Sequence, residues 1–216
     1  MPDGPLVELE RVGVRRPGAV ILRDLRLTVS AGEAVGVFGA NGSGKTTLLR
    51  LVATLFPPSD GVGRVLGAAL GEPGVEAVRR RIGFVGHQPA LFPLLTLEEN
   101  MLLVADLLGK PPGDARDALE AVGLGGAVHR RVSACSNGMK RRAEFARLLM
   151  TRPQLLLLDE AHVGLDAAAG VLVESLVSTV VGDGGAALVV SHETERITAL
   201  VDRTVRVEAG TIEGAP

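Results

Sequence analysis

The chain has 216 residues, 46% of them hydrophobic, and 23 Lys+Arg against 25 Asp+Glu give a net charge of -2. That length suits one large domain with room for an insertion, and the near-neutral balance gives no general attraction to nucleic acid or to an anionic membrane. A single cysteine, Cys135, excludes an internal disulfide and suits the cytoplasm, and no apolar run approaches the ~18–20 residues that cross a bilayer. No basic start followed by an apolar core is present, so no signal peptide is expected.

Residues 6–12 alternate apolar and charged side chains, as a half-exposed strand does. Arg15-Arg16-Pro17-Gly18 reads as a turn, and residues 25–29 alternate again. Two such strands predict a small antiparallel sheet. Residues 34–38 form a short apolar run, the pattern of a buried strand, and Thr47 and the residues after it begin a helix that stops before Pro57-Pro58. Gly61, Gly63, Gly67 and Gly71 mark a turn-rich edge, and residues 81–85 form another buried strand. Between residues 91 and 132 the texture turns helical, with segments at 97–108 and 114–122 separated by Pro111-Pro112-Gly113. Residues 137–151 form a further helix with Ser136 as its N-cap, stopped by Pro153. Then come a strand at 155–159, a helix at 167–181, a strand at 186–191, a short helix at 194–201, and a hairpin of 205–207 with 211–212. Strands alternating with helices predict an α/β fold with a mainly parallel sheet.

The stretch that organises this pattern is Gly39-Ala40-Asn41-Gly42-Ser43-Gly44-Lys45-Thr46, G-x-x-x-x-G-K-T between a strand and a helix. Glycines let backbone N–H groups turn inward around phosphate oxygens, and the helix start adds its dipole. Lys45 would reach the β- and γ-phosphates and Thr46 would place its hydroxyl on Mg²⁺. The run Leu155-Leu156-Leu157-Leu158-Asp159-Glu160 delivers two carboxylates to a sheet edge, where ligands bind in such folds. Asp159 would hold Mg²⁺ and Glu160 would orient or deprotonate a water, because phosphoryl transfer needs positioning and charge neutralisation. Taken alone, Ser136-Asn137-Gly138-Met139 is an N-capped helix start, and the triplets Arg79-Arg80-Arg81 and Lys140-Arg141-Arg142 read as solvated faces. His87, His129 and His162 show no metal-ligand spacing, and Cys135 reads as a packed small hydrophobe.

In this order the motifs resemble the ATP-binding-cassette ATPases over nearly the whole chain. Gln88 falls at the family's glutamine loop, residues 136–139 at its signature, Val163-Gly164-Leu165-Asp166 at the loop that crosses the dimer, and His192 at the switch histidine. The resemblance implies a P-loop NTPase fold with a mainly parallel core sheet, a small antiparallel β subdomain and a helical subdomain at 91–140, inserted in one domain of 1–216. It implies ATP and Mg²⁺ as cofactors, with Gly39, Ala40, Asn41, Gly42, Ser43, Gly44, Lys45, Thr46 and Thr47 on the nucleotide. Thr46, Gln88 and Asp159 would serve the metal, and Glu160, His192, Lys45 and Gln88 catalysis. Two copies would clamp ATP head to tail, with Ser136 and Gly138 of one copy facing the phosphate loop of the other and Asp166 coupling the sites. The other partner would be a separate integral-membrane permease, with no nucleic acid, and the chain would lie peripherally on the inner face of the cell membrane.

The chain departs from the family at three places. Asn137 and Met139 replace Gly and Gln in the signature, and Ala161 stands where Pro is usual after the Asp-Glu pair. At the place of the adenine-stacking aromatic the chain has Arg15-Arg16-Pro17, and it contains no Tyr or Trp. Arg16 would then lay its guanidinium plane on the base, with poor discrimination between ATP and GTP. The subfamily most similar is the haem-exporter type used in cytochrome c maturation, on Ser-x-Gly-Met-Lys-Arg-Arg, Asp-Glu-Ala-His-x-Gly-Leu-Asp and Ser-His-Glu-x-x-Arg. The alternatives are a drug- or polysaccharide-exporting cassette and, in a different class, a non-transport cassette ATPase or a nucleotide switch.

Overall fold

The structure is a computed structural model, and it describes residues 4–160, 167–191 and 198–213. The chain forms two units, one of Met1–Phe84, Pro153–Glu160 and Val177–Pro216, the other of Val85–Arg152 and Ala161–Leu176. In chain order the first unit opens with β1 (Val7–Arg16) and β2 (Ala19–Val29), an antiparallel pair. The strand therefore runs through Arg15 and Arg16, and only Pro17-Gly18 turns. The extension is held by partners far away in sequence: Arg15 N donates to Ser59 Oγ at 2.9 Å, and its guanidinium pairs with Asp60 at 2.8 Å.

β3 (Glu33–Phe38) leads into α1 (Lys45–Val52). β4 (Asp60–Val65) and β5 (Ala68–Ala69) follow, where the sequence predicted only turns. β4 pairs antiparallel with β1, with Leu9 opposite Gly63. A Cβ on Gly63 would lie 2.8 Å from Leu9 Cδ2 and 2.9 Å from Leu70 Cδ1, so this glycine serves close packing in a strand. A 3₁₀ turn over Val75–Arg81 precedes β6 (Ile82–Val85).

In the second unit, α2 (Leu97–Leu108), α3 (Gly113–Ala121) and α4 (Asn137–Thr151) pack on one another pairwise. Leu97, Met101, Leu119, Phe145 and Leu148 are buried. α2 starts with a capping box: Thr96 Oγ1 accepts from Glu99 N at 3.1 Å, and Glu99 Oε2 accepts from Thr96 N at 2.7 Å.

β7 (Leu155–Asp159), α5 (Ala167–Gly182), β8 (Ala186–Val190), β9 (Arg203–Glu208) and β10 (Thr211–Glu213) complete the described elements. The short helix expected at 194–201 lies largely outside the described residues. One sheet has the order β2-β1-β4-β5 and the other β10-β9-β3-β8-β7-β6. In the second sheet β3 is parallel to both β8 and β9, and β7 is parallel to β8, with β10 antiparallel to β9. All five residues of β7 and of β8 are buried, which is why both read as unbroken apolar runs. Leu48, Leu49 and Leu51 of α1 join the same core as Leu155, Leu157 and Leu188, and each such leucine contributes about 2 kcal/mol relative to an exposed one.

Candidate functional site

β3 ends at Phe38, and the chain turns through Gly39-Ala40-Asn41-Gly42-Ser43-Gly44 into α1. Gly39, Gly42 and Gly44 have φ of 150, 80 and 113°, where an ordinary side chain is strained. At Gly39 space matters as well: a Cβ there would lie 2.1 Å from Val207 O. Gly44 caps α1 with no side-chain hydrogen bond, and the first turn holds no acidic residue. The positive end of the helix dipole is thus left for a ligand.

Lys45 is buried, and its Nζ donates back to Gly39 O at 2.7 Å and to Ala40 O at 2.9 Å. Ser43 Oγ is buried with no hydrogen-bond partner. An ammonium folded onto its own loop beside an orphaned hydroxyl fits a ligand rich in anionic oxygens. The loop borders a cavity of 480 Å³ that is also lined by Ser191 and by residues 206–209. Thr46 and Thr47 are half-buried in the first turn of α1.

The register of the parallel sheet brings a carboxylate to the same edge. Val37 of β3 stands opposite Val190 of β8, and Val190 opposite Asp159 of β7. Asp159 is thus level with Val37 two strands away, roughly 10 Å across the sheet. Its exposure is 4%. Glu160 follows, half-buried, with φ of 53° and its N–H donating to Val190 O at 3.1 Å. A left-handed non-glycine residue costs on the order of 1–2 kcal/mol, and such strain collects at functional positions. Thr46 hydroxyl, Asp159 carboxylate and Gln88 amide oxygen are hard oxygen donors of the kind Mg²⁺ takes. His192 and Asp166 lie outside the described residues.

In the second unit, Ser136 is the N-cap of α4, its Oγ accepting from Met139 N at 3.2 Å, and a Cβ on Gly138 would meet nothing within 4 Å. Gln88 is exposed. The basic triplets are solvated only in part: Arg79 and Arg80 are exposed, whereas Arg81, Lys140, Arg141 and Arg142 are half-buried. Arg79 donates to Thr54 Oγ1 and O at 3.1 and 2.8 Å, Arg81 Nε to Gln154 Oε1 at 3.0 Å, and Arg141 Nη1 to Gly86 O at 2.8 Å. Among the described residues no cluster of three or more His, Cys, Asp and Glu side chains is placed to hold a metal ion. Cys135 is buried, its thiol donating to Arg131 O at 3.3 Å, and burial pushes its pKa up.

Arg16 lies with its guanidinium 4.4 Å from the centroid of the Phe56 ring. Phe56 was not singled out by the sequence, because it follows α1 and its partner is 40 residues earlier. Arg206 was also missed, although the alternation along β9 puts 204, 206 and 208 on its exposed face. Glu144 was missed for a third reason: it is a fully buried carboxylate in a helical stretch rich in basic residues, where a carboxylate reads as a surface partner.

Residues 22–163 match a family model described as ABC transporter. A lipoprotein-releasing system ATP-binding protein, LolD, of Nitratidesulfovibrio vulgaris is 36% identical over 221 residues, covering 97% of this chain and 95% of that protein. A cytochrome c biogenesis ATP-binding export protein, CcmA, of Cupriavidus necator is 34% identical over 215 residues, covering 96% and 90%. Among solved structures, a dimeric post-hydrolysis state of an ATP-binding cassette bound to ADP and Pi superposes with a TM-score of 0.84 at 26% identity, covering 96% of each chain.

Proposed function

The chain belongs to the ABC transporter family, and from that premise we propose that it is the ATP-hydrolysing subunit driving a separate membrane permease of the haem-exporter type used in cytochrome c biogenesis. That it is an ATP-binding cassette ATPase follows from the family match and the post-hydrolysis neighbour. The reading rests on one arrangement: the phosphate loop with Lys45 and the unpartnered Ser43 hydroxyl, level with Asp159 on the same sheet edge.

In this reading the N–H groups of residues 39–47 and the Lys45 ammonium take the phosphates, and Lys45 leaves its two carbonyls for phosphate oxygens. Thr46, Asp159 and Gln88 would hold Mg²⁺, which supplies charge neutralisation on the β- and γ-phosphates when bound. Glu160 accepts the proton of the attacking water, and its left-handed backbone holds the carboxylate beyond the end of β7. His192 supports the γ-phosphate. Ser136 and Gly138 of a second copy close the site, with Asp166 joining the two sites. The γ-phosphate thereby acts as an interfacial ligand that hydrolysis removes, so the dimer opens and closes by differential binding. Residues 1–216 act as one cassette with 91–140 as a helical insertion, located at the inner face of the cell membrane through the permease.

The 34% identity to the cytochrome c biogenesis protein, over nearly all of both chains, supports the haem-type assignment. The 36% identity to the lipoprotein-releasing protein favours a second reading, a cassette serving an exporter of another, lipid-linked cargo. Reconstitution with candidate permeases of the two types, followed by ATPase assays with haem and with a lipoprotein, decides between them. Stimulation by haem alone is expected. Stimulation by lipoprotein alone would replace the first reading with the second.

A further inference from the structure

The loop Gly86-His87-Gln88-Pro89-Ala90 is held on both sides of Gln88 by one helix. Arg141 Nη1 donates to Gly86 O at 2.8 Å, and Ala90 N donates to Glu144 Oε1 at 3.0 Å. The two side chains close the ring: Arg141 Nη1 also donates to Glu144 Oε2 at 3.0 Å. Their exposures are 12% and 0%. Residues three apart share a helix face, so both reach the loop from one side of α4.

A fully buried carboxylate is an expensive way to fill space, since a well-packed apolar residue does so with no desolvation penalty. Burial pushes the Glu144 pKa up, while the Ala90 N–H and the charge of Arg141 pull it back. Beyond each other, and the charge of Arg147 that also acts on Glu144, both side chains bond the loop's own backbone groups, so the pair helps determine where the loop sits. The same helix begins at Ser136 and Gly138, about 12 and about 9 Å from Glu144 at 1.5 Å per residue.

We propose that Arg141 and Glu144 are positioning residues that fix the Gln88 loop to the helix carrying Ser136 and Gly138, so that a displacement of the loop carries the signature with it. The proposal rests on the role assigned above to Gln88. Neither side chain touches nucleotide in this scheme. The pair acts through the placement of Gln88 and couples the loop that would serve Mg²⁺ to the segment that closes the partner's site.

The test is a double-mutant cycle in the full chain, with Glu144→Gln, Gln88→Ala and the double variant. Steady-state ATPase activity is measured at saturating Mg-ATP, with thermal unfolding to confirm folding. Glu144→Gln keeps the volume and removes the charge that orients Arg141. It is expected to lower kcat about tenfold and leave KM within about twofold, since misplacement of a positioned group is felt in the chemical step. In the Gln88→Ala background the same substitution is expected to cost nothing more, because the two act as one unit. Wild-type kcat in Glu144→Gln, or a full additive loss in the double variant, overturns the proposal. If Gln88→Ala alone leaves kcat unchanged, it is the reading of Gln88 that fails. The clamp is then judged by amide exchange at Ala90: faster exchange in Glu144→Gln sustains it, and unchanged exchange overturns it. If Glu144→Gln does not fold, Arg141→Gln takes its place in the cycle.

Discussion

The guanidinium of Arg16 rests 4.4 Å from the centroid of the Phe56 ring. A planar cation stacked on one face still has a second face, and Arg16 is exposed. The chain has no Tyr or Trp to stack on adenine, and a guanidinium backed by an aromatic ring is a flat substitute. A purine of either kind suits such a face. Arg16→Ala and Phe56→Ala are each expected to weaken nucleotide binding several-fold, or about 1 kcal/mol, equally for ATP and GTP. Competition binding of the two nucleotides checks this. Strong ATP preference that survives Arg16→Ala would sink the idea.

Lys45 donates to Gly39 O and Ala40 O, bonds made within the phosphate loop and not within a strand ladder. Lys45→Ala is therefore expected to unfold at nearly the wild-type temperature. ATP affinity is expected to fall by about 2 kcal/mol, roughly thirtyfold, as one charge-assisted contact is lost. Calorimetric titration and a melting curve on the same sample separate the two effects. A large drop in melting temperature would mean that Lys45 is chiefly structural.

Gly39→Ala places a methyl group 2.1 Å from Val207 O, a backbone atom that cannot swing aside. The loop must shift away from β9, and its N–H groups lose their convergence. Nucleotide binding is expected to drop at least tenfold, whereas Gly42→Ala, which meets nothing within 4 Å, is expected to do less despite its positive φ. Equal losses in the two variants would mean that backbone strain, and not the approach to Val207, controls the loop.

The elements legible from sequence are those with local punctuation. Leu97–Leu108 is bounded by the Thr96–Glu99 capping box and Gly109, and Asn137–Thr151 by Ser136 and Pro153. Leu155–Asp159 is a strand buried on both faces, and its apolar run says so. β4 and β5 were illegible because Gly61 and Gly63 read locally as turn residues, while their reason is the approach of β1 and Leu70. The phosphate loop and Asp159 were legible because their chemistry needs fixed residue types at fixed spacing. Phe56 under Arg16, and Arg141 with Glu144 under the Gln88 loop, were not. Each depends on a partner brought near only by the fold, Phe56 from 40 residues away and Gly86 from 55.

The Glu99 carboxylate has its pKa lowered below 4.5, first by the Thr96 backbone N–H and then by the Thr96 hydroxyl. A folded pKa below the unfolded one means stability that is present above the unfolded value and lost as pH falls through the folded one. Urea unfolding of wild type and Glu99→Gln is expected to differ at neutral pH, wild type being more stable. The difference should close as pH falls below 4.5. A constant difference across that range would show that the carboxylate charge contributes nothing to the cap.

In the proposed cassette, Gly39 to Thr46 of one copy and Ser136 with Gly138 of another would form a composite ATP site that Glu160 empties by hydrolysis. Glu160→Gln with Mg-ATP, followed by measurement of mass in solution, tests it most directly. A dimer that forms with Mg-ATP and dissociates when ATP is replaced by ADP is the predicted result. A monomer at saturating Mg-ATP, with nucleotide bound, would contradict it.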